Sequence, residues 1–379
     1  MKKILEEPLQ CVGCGSCVAI CPTASISMRT KEGGFLYPEI DQSTCVSCGK
    51  CRNVCPVLAE KAKKEPRQCY ALVDNREASR LKSASGAASI LFAEQILEEG
   101  GVFCGCRLDE SLRAVHDVTD ALDTLDLYRD SKYVQSDMSL AWPKIDAALK
   151  QGKKVLVSGA PCQIAAVKTR FGDREELITC DFVCSGVPDP SVFELYKKAL
   201  EKEQGKAIQS FYFRDKTNGW KKSNIRVVYD DGSEQIIERK NSDYFRLFGN
   251  NLFFRDCCYN CRFKNFNTSA DLTVGDYWGI ERLYPEIDDD KGCSLVIVNT
   301  EKGEALLSSI LNKATVWQTP LAFAIETHPK LEKSIPKSAY RGLFYKHYKG
   351  DEKSLQKAIK RSMGHSILDK IIRKISTIK

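Results

Sequence analysis

Cys11-Val12-Gly13-Cys14-Gly15-Ser16-Cys17-Val18-Ala19-Ile20-Cys21-Pro22 decides how the first part of this chain is read. The pattern returns 34 residues later as Cys45-Val46-Ser47-Cys48-Gly49-Lys50-Cys51-Arg52-Asn53-Val54-Cys55-Pro56. Each copy puts three thiols at two-residue gaps on one tight loop. A fourth follows, and Pro22 or Pro56 ends the loop. Gly13, Gly15 and Gly49 let the backbone curl close to the sulfurs. Zinc sites use C-x2–4-C pairs split by a longer insert, which this spacing does not match.

The doubled C-x2-C-x2-C-x3-C-P is the run of bacterial two-cluster ferredoxins, whose fourth cysteine ligates the other cluster. One [4Fe–4S] cluster is therefore expected on Cys11, Cys14, Cys17 and Cys55, and a second on Cys45, Cys48, Cys51 and Cys21. Their chemistry is one-electron transfer at low potential. The 18 cysteines in 379 residues do not indicate a disulfide scaffold, because such secreted domains are short and poor in core. No apolar stretch is long enough for a transmembrane helix, and Met1 to Gln10 lacks the apolar region of a signal peptide. A cytoplasmic setting is expected, where clustered cysteines mean metal or redox work. Anionic thiolate-held clusters would offset most of the +7 formal charge. No nucleic-acid partner is expected.

Four regions are expected: a ferredoxin domain over 1–66, two parts of one larger domain over 67–205 and 206–350, and a basic helical tail over 351–379. Charged residues from Glu60 to Arg67 read as a linker. The fold class is mixed α/β with a mostly parallel sheet and a β-rich C-terminal part. Strands are expected at Tyr70–Val73, Val102–Cys106, Lys153–Gly159 and Leu177–Val183. Helices alternate with them at Ser85–Glu99, Trp142–Gln151, Gln163–Phe171 and Ser191–Lys202. Further strands are expected at Ile208–Arg214, Asn224–Tyr229, Leu272–Val274 and Leu295–Val298, with a hairpin turn at Asp230-Asp231-Gly232. The tail from Lys353 carries eight Lys/Arg against one acid, Asp369. Ile359, Met363, Ile367, Ile371 and Ile375 form an apolar stripe expected to pack on its own domain.

Ten cysteines lie beyond residue 66. Cys69, Cys104, Cys106, Cys180 and Cys293 fall on strands or strand ends and read as inert core residues. Cys162 follows Gly159-Ala160-Pro161, where a strand ends and a helix begins, a position that favours a thiolate. Cys184 lies at another strand-to-helix turn, and open α/β sheets place ligands at such strand C-termini. Cys258-Tyr259-Asn260-Cys261 adds a C-x2-C that alone would also suit zinc, and the adjacent Cys257 is an alternative to Cys258. Together, Cys162, Cys184, Cys258 and Cys261 form the donor set for a third cubane.

The segment from about Cys69 to Tyr345 resembles the coenzyme F420 hydrogenase/dehydrogenase beta-subunit family. The resemblance is carried by Ser83-Ala84-Ser85-Gly86-Ala87, Glu99-Gly100-Gly101-Val102-Phe103-Cys104-Gly105 and Ser131-Lys132-Tyr133-Val134-Gln135-Ser136. It continues through Gly159-Ala160-Pro161-Cys162-Gln163-Ile164-Ala165, Cys184-Ser185-Gly186-Val187-Pro188, Cys258-Tyr259-Asn260-Cys261-Arg262-Phe263 and Gly275-Asp276-Tyr277-Trp278-Gly279. It implies an FAD enzyme with its own [4Fe–4S] cluster near the flavin, held by Cys162, Cys184, Cys258 and Cys261. Some members exchange hydride with F420. Members with a fused ferredoxin repeat resemble bacterial proteins associated with surface-polysaccharide synthesis. Ala87 stands where the family often has Gly, and Ser185 where it often has His.

No Gly-x-Gly-x-x-Gly follows a strand, so a Rossmann site is not indicated. Ser85 and Gly86 at a helix start offer amides for a phosphate. Ser131, Lys132 and Tyr133 offer a charge and a ring, and Pro161 and Gln163, which flank Cys162, are also expected cofactor contacts. The expected function is an oxidoreductase that passes single electrons between ferredoxin-type clusters and FAD and exchanges two electrons with a substrate. Ferredoxin or another low-potential donor and a small-molecule or sugar-type substrate are the expected partners. An F420-dependent subunit and a non-catalytic electron relay are the alternatives, and a zinc-stapled binding module is a third. His116, His328, His347 and His365 lie outside every motif, so no catalytic residue is assigned.

Overall fold

The computed structural model describes residues 3–60 and 65–376. The middle of the charged stretch and the last residues of the tail lie outside them, as do the side chains at Ile367, Ile371 and Ile375.

The sequence repeat is also a repeat of backbone. Short helices Ser16–Ala19 and Lys50–Asn53 each start after a left-handed glycine, Gly15 (φ 72°) and Gly49 (φ 76°). Two residues earlier, Gly13 and Ser47 are again left-handed. Each ligand loop thus takes the same two turns before its helix. An antiparallel hairpin, β1 (Ile26–Thr30) and β2 (Leu36–Ile40), completes this part.

The larger part is built on strands β3 (Gln68–Asp74), β4 (Val102–Leu108), β5 (Ala114–Thr119), β6 (Val155–Gly159), β7 (Leu177–Phe182), β8 (Ile208–Asp215), β9 (Asn224–Tyr229), β10 (Glu234–Glu238), β11 (Leu272–Asp276), β12 (Ser294–Val298) and β13 (Ala314–Gln318). Eight of them form one sheet in the order β13-β3-β12-β11-β7-β6-β4-β5. Only the central strands β11, β7, β6 and β4 run parallel. The flanking pairs are antiparallel. The expectation of a mostly parallel sheet is thus corrected to a mixed one. Strands from 67–205 and 206–350 share this sheet. Strands β8, β9 and β10 form a separate antiparallel sheet.

Alternation in the central strands sorts side chains between two faces. Leu156 and Ile178 face helices Ala88–Glu98 and Glu301–Ser309. Val155, Val157 and Leu177 face helices Ala141–Lys150 and Pro161–Phe171. Burying each such side chain contributes roughly 1.5–3 kcal/mol. Helix Ala88–Glu98 buries Ile90, Leu91, Phe92, Ala93, Ile96 and Leu97. It begins three residues later than expected because Ala87 is left-handed (φ 73°). The small sheet packs with helices Pro190–Gln204, Asp243–Gly249 and Arg341–His347. The tail helix, Glu352–Ser376, places Leu355, Ala358, Ile359 and Met363 in the same core, so its first turns pack as expected.

Candidate metal centres

Cys11, Cys14, Cys17 and Cys55 line one cavity, closed by Ile4, Leu5, Val12, Val54 and Val57. Cys21, Cys45, Cys48 and Cys51 line another, with Ile26 and Ile40. The fourth cysteine of each run thus faces the opposite set, because the short helix that carries the third thiol turns the chain away before the fourth. The Gly13 amide donates to Cys11 Sγ at 3.4 Å. Backbone N–H groups of Ser16, Val18 and Val57 point at Cys14, Cys17 and Cys55. Burial pushes the Cys14 thiol up to about 12 and holds Cys17 still higher. Without a cation these sulfurs stay protonated, and a bound metal would displace their protons. Four thiols, amide donors and an apolar wall suit an iron–sulfur cluster, whose net charge, sulfur hydrogen bonds and exposure set its potential. Among the described residues, no three His, Cys, Asp or Glu side chains close on a single ion. In a cubane each thiolate binds a separate iron, so its four sulfurs need not converge on one point. The second set lies nearer solvent: Cys48 is exposed and Val46 is 63% exposed.

The third set also gathers. Cys162 is the second residue of helix Pro161–Phe171, where Pro at the first position sacrifices no intrahelical bond. Burial comes first in pushing its thiol well up, followed by Cys184, Cys261, Cys257 and Cys14. Burial thus opposes the thiolate that the helix start favours. Cys184 lies past the end of β7 and accepts the Gly186 amide at 3.3 Å. Cys258 is buried and accepts the Val187 amide at 3.4 Å. Burial pushes Cys261 up to about 11. Cys257 lies between the two sets: it packs on the N-terminal core beside Cys11, Cys55 and Cys162, and on the cluster that contains Cys258. Cys69, Cys104, Cys180 and Cys293 are buried as expected, and Cys106 is half-buried.

Contacts across the junction hold the first and third sets together. Trp142 Nε1 donates to the Cys14 carbonyl at 3.0 Å. Gln135 Nε2 donates to the Val12 carbonyl at 3.2 Å. Arg255, two residues before Cys257, reaches the Cys11 carbonyl. Nothing in the sequence singled out Trp142 or Arg255.

The segments expected to contact FAD are largely engaged within the protein. Ser85 Oγ donates to the Cys293 carbonyl at 2.5 Å and the Gly86 amide to Ser294 Oγ at 2.9 Å. Lys132 Nζ turns into its own loop, donating to the carbonyls of Leu127, Arg129 and Asp130. The half-buried Ser131 precedes it. The Tyr133 ring meets Phe213, Phe245 and Phe248 and lies under Arg239. Gln163 accepts the Ala160 amide and donates to Ser136 Oγ at 2.9 Å, which joins segments 131–136 and 160–163. The charge beside Ser85 comes from Lys216, whose Nζ donates to the carbonyls of Arg80, Ser85 and Lys291. Burial, then Arg214, lowers Lys216 to about 7. Arg214 bonds Asp276 through Nη1, while its buried Nε and Nη2 have no partner among the described residues.

Among curated proteins, none matches this chain. A chain from the F420-reducing [NiFe] hydrogenase complex from Methanosarcina barkeri aligns with a TM-score of 0.48 at 16% identity, covering 72% of this chain and 92% of that one. Residues 10–59 match the 4Fe-4S dicluster domain. Residues 152–322 match the family described as the C terminus of the coenzyme F420 hydrogenase/dehydrogenase beta subunit. The chain therefore joins an N-terminal 4Fe-4S dicluster domain, over residues 10–59, to a C-terminal domain of the coenzyme F420 hydrogenase/dehydrogenase beta-subunit type, over residues 152–322.

Proposed function

We propose that this chain is a cytoplasmic iron–sulfur flavoprotein oxidoreductase with three [4Fe–4S] clusters and FAD. The observation that carries this reading is that Cys162 packs on the same apolar core as Cys11, Cys14, Cys17 and Cys55. Bound clusters supply one-electron transfer, and bound flavin supplies the exchange between single electrons and a hydride equivalent. The residues of the chain hold and shield these groups. Cys11, Cys14, Cys17 and Cys55 hold the first cluster, Cys21, Cys45, Cys48 and Cys51 the second, and Cys162, Cys184, Cys258 and Cys261 the third. Amides of Gly13, Gly186 and Val187 donate to the sulfurs. The exposed Cys48 loop is the docking point for ferredoxin or another low-potential donor.

Lys132 is too well satisfied to bind a phosphate. The unpartnered N–H groups of Arg214, close to Lys216 and Ser85, offer an anion site for FAD instead. A buried guanidinium with unmade hydrogen bonds is costly until a partner arrives. The two-electron substrate is a small molecule or sugar derivative, and its place in surface-polysaccharide synthesis rests on analogy alone. The family match favours one competing acceptor, F420.

The test is iron, acid-labile sulfide and released flavin per chain after anaerobic purification. About twelve iron and one FAD are expected from three cubanes and one flavin. About eight iron without flavin would overturn the reading in favour of a two-cluster relay. Arg214→Lys is expected to lose FAD while keeping its iron.

A further inference from the structure

Arg255 is 0% exposed. Burying an unpaired charge is costly, and such groups are normally ion-paired. Its partners are three acceptors from three separate segments. Nε donates to the Cys11 carbonyl at 2.6 Å, Nη1 to Gln135 Oε1 at 3.2 Å and Nη2 to the Leu36 carbonyl at 2.8 Å. Among the described residues no carboxylate pairs with it. Its guanidinium lies over the Tyr37 ring at 4.2 Å and 5.5 Å from the Phe35 ring centre, contacts that suit a desolvated cation.

Apart from the Tyr37 phenol, the ionisable groups that act on it are thiols. Arg255 acts electrostatically on Cys11, Cys14 and Cys257 and is acted on by Cys258. Its backbone is tied to the third set as well. The Arg255 amide donates to the Val187 carbonyl at 2.9 Å, and the Val187 amide donates to Cys258 Sγ. One residue thus joins the first thiol set through its side chain and the third through its main chain. The second set lines a different cavity.

We propose that Arg255 is a positioning residue that clamps the first thiol set against the third and supplies the buried positive charge that balances the two clusters there. This rests on the three-cluster reading above. A cluster gains negative charge on reduction, so a fixed cation beside it favours the reduced form. Arg255 therefore raises the potentials of the first and third clusters relative to the second. Electrons entering at the exposed second set are thereby drawn inward.

The experiment is a potentiometric titration of the full anaerobic protein, followed by electron paramagnetic resonance, for wild type, Arg255→Gln and Arg255→Lys. The second cluster is the reference within each molecule. In Arg255→Gln the reduced-to-oxidised ratio of the first and third clusters at fixed potential is expected to fall at least tenfold, equivalent to about 59 mV for a one-electron couple. The second cluster is expected to hold its midpoint, and Arg255→Lys to restore most of the shift. Equal shifts in all three clusters, no shift in any, or identical behaviour of Lys and Gln would overturn the proposal. If Arg255→Gln sheds iron, Arg255→Lys decides alone. Retained iron with wild-type midpoints supports the charge role, and lost iron or lowered midpoints rejects it. A wild-type protein without a third cluster would defeat the three-cluster reading, yet the first cluster measured against the second would still judge Arg255.

Discussion

Gly13→Ala tests how tightly the N-terminal domain is seated. At φ 72° an alanine strains the backbone by about 1–2 kcal/mol. Its Cβ would lie 2.5 Å from Gln135 Nε2 and 2.9 Å from Arg255 Nη1. Both atoms must retreat, which breaks the bonds from Gln135 to Val12 and from Arg255 to Gln135. Losing that pair costs a further ~1–3 kcal/mol. The total of about 2–5 kcal/mol implies a fall in melting temperature of roughly 4–20 °C at 2–4 °C per kcal/mol. Gly49→Ala is the control: φ is 76° there too, but nothing lies within 4 Å of the added carbon, so strain alone applies. The assay is anaerobic thermal denaturation of the iron-loaded protein, followed by circular dichroism and cluster absorbance. If Gly13→Ala melts within a degree or two of Gly49→Ala, the close packing of Gln135 and Arg255 on the ligand loop is wrong.

Crossed ligation is checked by iron counts and spectra. Cys21→Ala should abolish the cluster signal that Cys48→Ala abolishes, and Cys55→Ala the one that Cys14→Ala abolishes, each removing about four iron. Cys258→Ala should lose the third cluster and Cys257→Ala should keep it; the reverse result would exchange their roles. Asp189 is held by burial at about 7, against 3.8 in the open chain. The folded state then binds the extra proton, so this group's contribution to stability is full below about pH 4 and is lost as pH rises through 7. Asp189→Asn should flatten that slope in equilibrium unfolding between pH 4.5 and 8, and an unchanged slope would place the proton elsewhere.

The two ligand runs were legible because their spacing alone dictates which thiols share a loop and which must cross. The strands were legible where apolar runs met turn residues, but their direction was not. β12 buries all five of its residues, as a central parallel strand would, yet it runs antiparallel to both neighbours. Burial records how covered a strand is and says nothing of its polarity. β5 and β13, at the two edges of the sheet, escaped notice because β5 buries the polar His116 and Asp117 and β13 alternates irregularly between cover and solvent. Lys132 reads as a free cation in the sequence. Asp130 at φ 66° curls the loop so that its own carbonyls surround the ammonium. Arg255 reads as one more surface arginine, and only tertiary packing buries it.

These cases share a physical cause. A metal site built from one loop is encoded by local spacing, so its ligands can be read in order. The third set draws Cys162 from the end of β6, Cys184 from the end of β7 and Cys258 from a later loop. These positions become neighbours only because β6 and β7 are parallel partners whose C-terminal ends open on the same edge. The sequence marked both cysteines as strand-end residues, and the sheet order brings those strand ends side by side. The junction had no such marker. Its specificity lies in backbone carbonyls at Val12, Cys11 and Leu36, groups that every residue carries and that composition cannot distinguish. Substitutions at Gln135 or Arg255 should therefore loosen the seat of the first cluster even with every cysteine intact.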